Sequence, residues 1–262
     1  MNINRKIDQS IKLIQSAYEA NPASIAVGFS GGKDSSVVAE LVRMSGCPIP
    51  LIYKSSTIDE PGTIPFVQAM GAKIIRPRYT FFQLLERKGV PSFNRRFCCE
   101  FLKEYKTSDL MLTGVRRQES RSRGLIEDFT RCRAEGYQEI MPILNWTFNE
   151  IKCFVKKQNV PLHPIYQHNG LRARLGCMGC PLPYSRSRAD FLRRPKLLQA
   201  WIKHLKVYEN KYGGFGKDGW SLAQELTFHF FFHSLAQFKT STYSRSSTAS
   251  ASLIESFFNV KL

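Results

Sequence analysis

Residues 28–36 read Gly-Phe-Ser-Gly-Gly-Lys-Asp-Ser-Ser, between the apolar run 24–27 and the helical stretch that begins at Val37. This order predicts a buried strand, a glycine-rich turn and then a helix. Glycine lets a backbone approach a ligand closely, successive amides form a concave nest, and the helix N-terminus is partly positive. The turn is therefore a predicted phosphate socket, and we expect the chain to bind a nucleotide.

The turn does not match a Walker A loop. With Gly32-Lys33 as the Gly-Lys pair, the leading glycine would fall on Val27, and Asp34 replaces the Ser/Thr that contacts magnesium. The string Ser-Gly-Gly-x-Asp-Ser resembles the PP-loop of the ATP-pyrophosphatase superfamily, which splits ATP between the α and β phosphates. Glycine that serves only close strand–helix packing is the alternative interpretation. The resemblance implies ATP contacts from Ser30, Gly31, Gly32, Lys33, Asp34, Ser35 and Ser36.

Length and composition limit the classes of protein. The 262 residues fit one large domain, or one domain with an appendage, and a hydrophobic content of 43% can form a core. No apolar stretch reaches the length of a membrane span and the N-terminus lacks an apolar signal region, so we expect a cytoplasmic chain without membrane contact. In a reducing compartment the seven cysteines are expected to be ligands, nucleophiles or core residues rather than disulfides.

The chain is strongly basic, with a net charge of +17. Residues 172–206 hold nine Lys or Arg and a single acid, Asp190. Such an excess favours a polyanionic partner, because phosphates neutralised by Lys and Arg release counterions. A solvated surface, or the general basicity of small enzymes of nucleotide metabolism, is the alternative. We expect this segment to hold a nucleic acid.

Strand and helix patterns alternate along the first half of the chain. They predict a helix at 4–20, then strand 24–29, helix 34–45, strand 49–54, helix 62–70, strand 73–76, helix 80–88 and strand 109–113. This alternation predicts an α/β fold, a mainly parallel sheet with helices on both faces, followed by a basic helical C-terminal part. Ligands of such sheets bind at the carboxyl ends of the strands, so Ser56-Thr57 and 114–116 should join the glycine-rich turn, with Thr57 a candidate ATP contact.

Three segments follow from these patterns. Residues 1–185 form the predicted nucleotide-binding domain, with a loop-rich part from about 115. Residues 186–239 form a basic helical appendage, interrupted at Pro195. Residues 240–262 are predicted to be a flexible tail, because their first half is mostly Ser and Thr without an apolar period.

Four cysteines form two close pairs, Cys98-Cys99 and the Cys-x-x-Cys of Cys177 and Cys180. Two pairs of thiolates suit tetrahedral ligation of zinc or of an iron–sulfur cluster. The order resembles the [4Fe–4S] site of assimilatory adenylyl-sulfate reductases, where Arg96 or Lys103 would offset the negative charge. Structural zinc and four unrelated core thiols are the alternatives. The remaining cysteines, Cys47, Cys132 and Cys153, are expected to be core or incidental.

An arginine-rich segment follows the strand at 109–113. Guanidinium groups bind phosphate or sulfate oxygens in pairs. The segment resembles the Gly-x-Arg-x-x-Glu-Ser-x-x-Arg motif of phosphoadenylyl-sulfate reductases and their sulfur-transfer relatives, and its matching residues are Gly114, Arg116, Glu119, Ser120 and Arg123. A further stretch at 142–151 resembles the Pro-Ile-x-x-Trp helix start of the family, with Trp146 in the core and a capping box of Thr147 and Glu150.

Two departures from the reductases favour a related branch. No cysteine follows Cys180 to carry a sulfonate, and the loop keeps both Lys33 and Asp34. The resemblance then implies an ATP pyrophosphatase that activates an acceptor for sulfur insertion, as in DNA phosphorothioation systems and some tRNA thiolases. It implies Lys33, Asp34 and Arg116 as catalytic residues, Asp34 with Mg²⁺, and as partners DNA or tRNA, a sulfur donor such as a cysteine desulfurase, and further subunits.

Two other functions remain open at this point. One is a thioredoxin-dependent adenylyl-sulfate or phosphoadenylyl-sulfate reductase. The other is a non-catalytic module that binds a nucleotide or a nucleic acid. Turnover separates the three, because only the first releases pyrophosphate from ATP, only the second forms sulfite, and the third forms neither.

Overall fold

The structure is a computed structural model and describes residues 3–92, 95–119, 129–131, 136–180, 184–232 and 234–262. In chain order the strands are β1 (Ile25–Gly28), β2 (Leu51–Lys54), β3 (Lys73–Ile75), β4 (Leu110–Leu112), β5 (Phe129–Arg131) and β6 (Gln138–Ile140). The helices are α1 (Ile3–Ala20), α2 (Lys33–Ser45), α3 (Thr63–Ala69), α4 (Phe81–Lys88), α5 (Phe97–Leu102), α6 (Phe148–Gln158), α7 (Ile165–Asn169), α8 (Tyr184–Arg193), α9 (Pro195–Tyr212), α10 (Leu222–Phe231), α11 (Leu235–Thr240), α12 (Thr242–Arg245) and α13 (Ser247–Phe258).

The chain divides into two compact units, each built from separated segments. Unit 1 comprises Met1–Ser55, Asp59–Arg76 and Glu104–Gly176, and unit 2 comprises Ser56–Ile58, Pro77–Lys103 and Cys177–Leu262. This division differs from the predicted boundaries at 185 and 239. The reason is that α4, predicted within the nucleotide-binding domain, packs against α9 from the C-terminal part of the chain.

Unit 1 is built on a six-stranded sheet in the order β3-β2-β1-β4-β6-β5. Five strands are parallel, and β5 pairs antiparallel with β6 at one edge. Side chains alternate between the faces, so Val27 packs into the large core with α1, α2 and α6, whereas Ala26 joins a small cluster with Met111. The predicted fold class, mainly parallel α/β with a helical C-terminal part, is confirmed.

Unit 2 is helical, and its core is rich in aromatic side chains. Phe191 of α8 packs edge-on against Trp201 of α9, with the ring centroids 5.3 Å apart, and against Phe230 of α10 at the same separation. Phe81 of α4 contacts Trp201 at 5.1 Å. Large rings bury much apolar area, so the segments of unit 2 are joined mainly by these contacts. No helix within the described ranges is long and apolar enough to span a membrane.

The segment 240–262, predicted to be a flexible tail, contains helices α12 and α13. Serine hydroxyls begin three successive helices, since Ser234, Ser241 and Ser246 accept the amides of Gln237, Ser244 and Ala249. These serines are therefore helix N-caps rather than linker residues. Ile254 and Phe258 of α13 are buried in the core of unit 2, so the prediction of a flexible tail is wrong.

The pH dependence of stability should include a contribution from buried His229 in α10. Burial lowers the pKa of His229 from its ordinary value of 6.5 to about 4. Its stabilising contribution is therefore fully present above pH 6.5 and is lost as the pH falls towards 4, because the unfolded chain then takes up a proton that the folded chain refuses. We expect a loss of about 3 kcal/mol over this range.

Urea unfolding between pH 7.5 and 4.5 checks this expectation. In His229→Gln, the slope of the free energy of unfolding against pH should fall by the part that uptake of one proton contributes. His168→Gln, on an exposed position of α7, should leave this slope unchanged. An unchanged slope in His229→Gln would contradict the assignment to this histidine.

Candidate active site

The glycine-rich turn joins β1 to α2 in unit 1. Gly31 has a left-handed backbone with φ of +73°, and a Cβ there would lie 3.2 Å from the Leu175 side chain. The backbone conformation therefore favours glycine, and the Leu175 side chain would have to shift slightly for a larger residue. The helix α2 begins at Lys33, with Asp34 in its first turn. The positive end of the helix favours negative charge at this position, either from Asp34 or from a phosphate.

The Asp34 carboxylate lies between two cationic side chains. Its Oδ2 accepts from Nζ of Lys33 at 2.7 Å, and its Oδ1 accepts from Nε of Arg116 at 2.7 Å. Arg116 is buried, with only 4% of its surface exposed. Because both oxygens are used, Asp34 fixes the positions of the two cations, and a magnesium ion would compete with them for its oxygens.

The backbone of Gly114 closely approaches the first turn of α2. A Cβ on Gly114 would lie 2.8 Å from the carbonyl carbon of Asp34 and 2.9 Å from the amide nitrogen of Ser35. Real Cβ atoms do not make such contacts with a backbone. Glycine therefore lets the segment after β4 bring Arg116 to the loop, where the Arg116 amide donates to the Glu119 carboxylate at 3.4 Å.

The loop hydroxyls differ in their surroundings. The Ser30 and Ser35 oxygens are 3.1 Å apart, and Ser35 also donates to the Gly32 carbonyl at 2.9 Å. Ser36 is completely buried in α2, and its hydroxyl has no hydrogen-bond partner among the described residues. Ser30 and Ser35 can therefore face a ligand, whereas the structure does not bring Ser36 to the surface of the site.

A cavity of about 1010 Å³ lies over the loop in unit 1. This volume is at the upper end of the range for ligand sites, so it can hold a nucleotide and part of a second substrate. The predicted site residues that line it are Ser30, Gly32, Lys33, Asp34, Ser35, Gly114, Arg116 and Glu119.

Besides Gly31 and Ser36, three predicted ATP contacts are not among the described residues that line this cavity. Thr57 belongs to unit 2, where its backbone is left-handed with φ of +63° and its hydroxyl accepts the Phe81 amide at 2.8 Å. Its predicted place followed from the end of β2, but the chain leaves unit 1 after Ser55. Ser120 and Arg123 lie outside the described residues.

Several cavity residues were not predicted as nucleotide contacts. The Tyr166 hydroxyl accepts the Lys33 amide at 2.9 Å, and the Arg172 guanidinium lies 4.6 Å from the centre of the Phe148 ring. Arg172 and Arg174 were assigned from charge alone to a nucleic-acid segment, whereas here they line the cavity of unit 1. The basic segment 172–206 thus divides between the two units. The hydroxyl of Tyr166 comes from α7, so no local motif marks it.

The four predicted metal ligands all belong to unit 2. The pKa of the Cys98 thiol is raised well above its ordinary range by the hydrogen bond with Cys99, by burial and by the charges of Cys177 and Cys180. The Cys98 sulfur is therefore within electrostatic reach of the other three. Four adjacent thiolates repel, so this donor set suits a cationic metal or cluster that offsets their charge.

The surroundings of these sulfurs fit the same interpretation. Nη2 of Arg96 donates to Sγ of Cys99 at 3.5 Å, which places positive charge beside the thiolate, as predicted.

The described His, Cys, Asp and Glu side chains form no group of three or more that could hold a single metal ion as they stand. Elsewhere, Cys47 is partly buried and Cys153 is exposed, and Cys132 lies outside the described residues.

The Cys177–Cys180 turn is held by α8. Gly179 has φ of +64°, and its amide donates to Oδ2 of Asp190 at 3.1 Å. A Cβ on Gly179 would lie 2.6 Å from the buried Phe191 ring. Asp190, the single acid of the basic segment, therefore fixes the cysteine turn, and Arg193 pairs with its other oxygen at 3.0 Å.

The family follows from the length of the match. The sequence profile of the phosphoadenosine phosphosulfate reductase domain matches residues 24–183, more than half of the chain. The chain belongs to the phosphoadenosine phosphosulfate reductase domain family. The matched residues of this family member include the whole glycine-rich loop and both cysteine pairs.

Individual relatives agree with the family. Uncharacterized protein MJ0973 of Methanocaldococcus jannaschii is 30% identical over 225 residues, which cover 76% of this chain and 53% of that protein. An adenosine 5′-phosphosulfate reductase of Halalkalibacterium halodurans is 21% identical over 198 residues, 69% of this chain and 85% of the reductase. The chain therefore spans about half the length of the Methanocaldococcus relative.

A solved structure supports the fold of this family member. The phosphoadenylyl-sulfate reductase of Candida auris, in a phosphate complex, superposes with a TM-score of 0.50 at 15% identity, over 67% of this chain and 93% of the reductase. At this identity the likeness establishes the shared fold alone.

The Tyr166–Lys33 hydrogen bond gives a testable expectation. Tyr166→Phe should lower the free energy of unfolding by about 1 kcal/mol, because the Lys33 amide loses its acceptor. Saturating ATP should shrink this deficit, since a phosphate oxygen can replace the hydroxyl. Urea unfolding with and without ATP measures both effects, and Tyr18→Phe on α1 is the matched control. A deficit that is unchanged by ATP would argue against phosphate binding at this amide.

Proposed function

We propose that the chain is a PP-loop ATP pyrophosphatase that adenylates an acceptor, a nucleic acid, for sulfur insertion. The observation that carries the proposal is the arrangement at the positive end of α2, where Lys33 and Arg116 each lie within hydrogen-bonding distance of Asp34. Two cations beside a cavity suit a departing pyrophosphate, whose negative charge they would stabilise in the transition state.

The proposed reaction proceeds in two displacements. An acceptor oxygen bonds to the α-phosphorus while the bond from that phosphorus to the bridging oxygen breaks, and pyrophosphate leaves with the electron pair. A thiol reductant supplies the two electrons that release the outer sulfur of a donor persulfide, such as that of a cysteine desulfurase, as sulfide. The sulfide then bonds to the activated atom, and AMP leaves with the acceptor oxygen. Lys33 and Arg116 would stabilise the first leaving group, and Mg²⁺ bound with the phosphates would share that role.

The proposed cofactor is a [4Fe–4S] cluster on Cys98, Cys99, Cys177 and Cys180. When bound, such a cluster supplies redox-active iron and a site for sulfide. The electrostatic interaction of Cys98 with the other three cysteines, and Arg96 beside Cys99, support this donor set. Structural zinc would use the same ligands, and the two are distinguished by metal analysis.

The reductase alternative keeps one specific observation in its favour. Relatives matched over four fifths or more of their own length include adenosine 5′-phosphosulfate reductases, such as that of Halalkalibacterium halodurans. Arg116, Arg172 and Arg174 could bind a sulfate as well as a phosphate. A reductase, however, has no use for cleavage of ATP, so the products separate the two functions.

The test uses protein purified without oxygen, incubated with ATP and Mg²⁺ in the presence and absence of tRNA or DNA. We expect AMP and pyrophosphate, with Lys33→Ala inactive and Lys12→Ala, an exposed lysine of α1, unaffected. ADP with orthophosphate would contradict the proposal. Sulfite formed from adenylyl sulfate and reduced thioredoxin would establish the reductase instead, and nucleic-acid binding without turnover would indicate a non-catalytic module.

Iron and sulfide analysis tests the cofactor separately. Cys177→Ser should lose the iron, whereas the exposed Cys153→Ser should keep it. Zinc in place of iron in anaerobically prepared protein would contradict the cluster.

A further inference from the structure

A set of paired cations and aromatic rings surrounds the C-terminal end of α4 in unit 2. The Arg87 guanidinium lies 4.2 Å from the centre of the Tyr79 ring, and Nζ of Lys88 lies 5.0 Å from the centre of the Phe101 ring. Arg78 also contacts Tyr79, at 5.4 Å. The consecutive residues Arg87 and Lys88 therefore each lie over a different aromatic ring.

Gly89, the next residue along the chain, contacts α9 and extends this set of cations and rings to that helix. Gly89 has φ of +73°, and a Cβ there would lie 3.3 Å from the Tyr208 ring. Tyr208 contacts Tyr212 with the ring centroids 4.6 Å apart, and Nζ of Lys211 lies 5.1 Å from the centre of the Tyr212 ring. We call this set, built from Arg78, Tyr79, Arg87, Lys88, Phe101, Tyr208, Lys211 and Tyr212, the α4–α9 face.

Two rings of the α4–α9 face are accessible, whereas Tyr79 and Tyr208 are partly buried against the core of unit 2. Tyr212 is 51% exposed and Phe101 is 38% exposed, so each offers ring surface to solvent. Neither belongs to the apolar core of unit 2, whose buried residues lie on the inner sides of α4 and α9. Arg87, Lys88 and Lys211 are also exposed. An exposed aromatic residue covered by a cation is not explained by packing of the core.

The charge of the same segments indicates the kind of partner. Residues 77–103 carry six Lys or Arg and two Glu, and residues 195–212 carry four Lys and one Glu. The carboxylates are partly used, since Glu86 pairs with His204 at 2.6 Å and Glu209 accepts the Leu222 amide at 2.7 Å. The face is therefore complementary to a polyanion.

We propose that the α4–α9 face binds a single-stranded nucleic acid. Arg87, Lys88 and Lys211 contact its phosphates, while Tyr212 and Phe101 stack with bases that a duplex would keep paired. Proteins that bind single strands combine a cationic track with such rings, because every base has a face that can stack. The proposal deepens the proposed function, on which it rests for the role of the bound strand, by naming the form of nucleic acid and the surface that takes it.

An acidic protein segment is the other polyanion that this charge could attract. Carboxylate side chains would use the cations alone and gain little from flat rings, whereas bases use both. The alternation of cations with partly exposed rings therefore favours nucleic acid, and the aromatic residues are the ones to test.

The experiment measures fluorescence anisotropy of a labelled 16-nucleotide oligo(dT) with the full chain, over a series of salt concentrations. Tyr212→Leu should weaken binding roughly tenfold without changing the salt slope, because it removes a stack and no charge. Arg87→Ala should weaken binding and lower the slope of log K against log salt by about 0.7, the value for one phosphate of a single strand.

Matched controls lie on other parts of unit 2. Phe257→Leu replaces a ring of α13 that is 40% exposed, and Lys261→Ala removes an exposed lysine; both should bind as the unchanged chain does. Lys33→Ala should bind the strand normally while releasing no pyrophosphate. Failure of the chemistry is thereby distinguished from failure of this surface, since strand binding is measured without ATP.

Three outcomes would overturn the proposal. The first is unchanged oligo(dT) affinity in both Tyr212→Leu and Arg87→Ala. The second is equal affinity for a 16-base-pair duplex. The third is a loss confined to the charge variants together with competition by polyglutamate at equal charge concentration, which would assign the face to an acidic protein. Thermal unfolding of each variant checks that the exposed substitutions leave the fold intact.

Discussion

Arg116→Ala is expected to lower the rate of pyrophosphate release from ATP by roughly 10³-fold, at the upper end of the effects seen when one preorganised donor is removed. Arg116 is 4% exposed, and its Nε donates to Asp34 at 2.7 Å. Its loss removes a positive charge beside the departing pyrophosphate and leaves Asp34 with Lys33 as its remaining cationic partner among the described residues. Steady-state kinetics of pyrophosphate release measures the effect.

Two further variants separate charge from geometry. Arg116→Lys keeps the charge but lacks the planar group that reaches Asp34 through Nε, so we expect it to recover less than a tenth of the lost rate. Arg117→Ala removes the neighbouring guanidinium, which bonds to Asn145, and should change the rate little. A wild-type rate in Arg116→Lys would show that this side chain acts through charge alone.

Gly114→Ala should reduce pyrophosphate release by about 100-fold or more. The new methyl group would stand 2.8 Å from the Asp34 carbonyl carbon, a backbone atom at the start of α2 that cannot rotate away. The first turn of α2 must shift, and with it the geometry of Asp34 and Lys33, and displacements of this kind commonly cost two orders of magnitude in rate. We also expect the free energy of unfolding to fall by about 2 kcal/mol from overpacking.

The matched control is Gly71→Ala. Gly71 has φ of +72°, and a Cβ there would meet no atom within 4 Å. In this variant the free energy of unfolding should fall by only about 1 kcal/mol, the cost of an alanine in a left-handed backbone conformation. Pyrophosphate release should proceed at the normal rate. Kinetics and urea unfolding of the two variants together isolate the steric effect at Gly114. Equal rates in both would contradict the close contact between Gly114 and α2.

The fold of unit 1 could be predicted because its signals are local. A buried strand followed by glycines and a helical stretch specifies β1, the loop and α2 within residues 25–45. The Thr147–Glu150 capping box at the start of α6 is present as predicted. The arginine motif was also found, since its first residue, Gly114, lies two residues after the end of β4. Both signals depend on residues that are neighbours in the chain.

The rest depends on contacts between distant segments, which no local pattern encodes. Tyr166 reaches Lys33 across 133 residues, and α4 leaves the expected domain to pack on α9. Charge counted along the sequence does not show that the basic segment divides, with Arg172 and Arg174 lining the cavity of unit 1 while Lys203 and Lys206 belong to unit 2. The serines of the C-terminal segment led to the wrong prediction of a flexible tail, because composition does not distinguish a linker from a series of helix N-caps.

The discontinuous path of unit 2 has a consequence for biosynthesis. Cys98 and Cys99 leave the ribosome well before Cys177 and Cys180, and their segment can complete its packing only when α9 has been translated. The early thiols therefore emerge before Cys177 and Cys180, while the last segment of unit 1 is still being synthesised. For the proposed cluster, iron delivery would follow synthesis through Cys180, and a premature stop before Cys177 would yield a polypeptide that carries the glycine-rich loop but only the first of these two cysteine pairs.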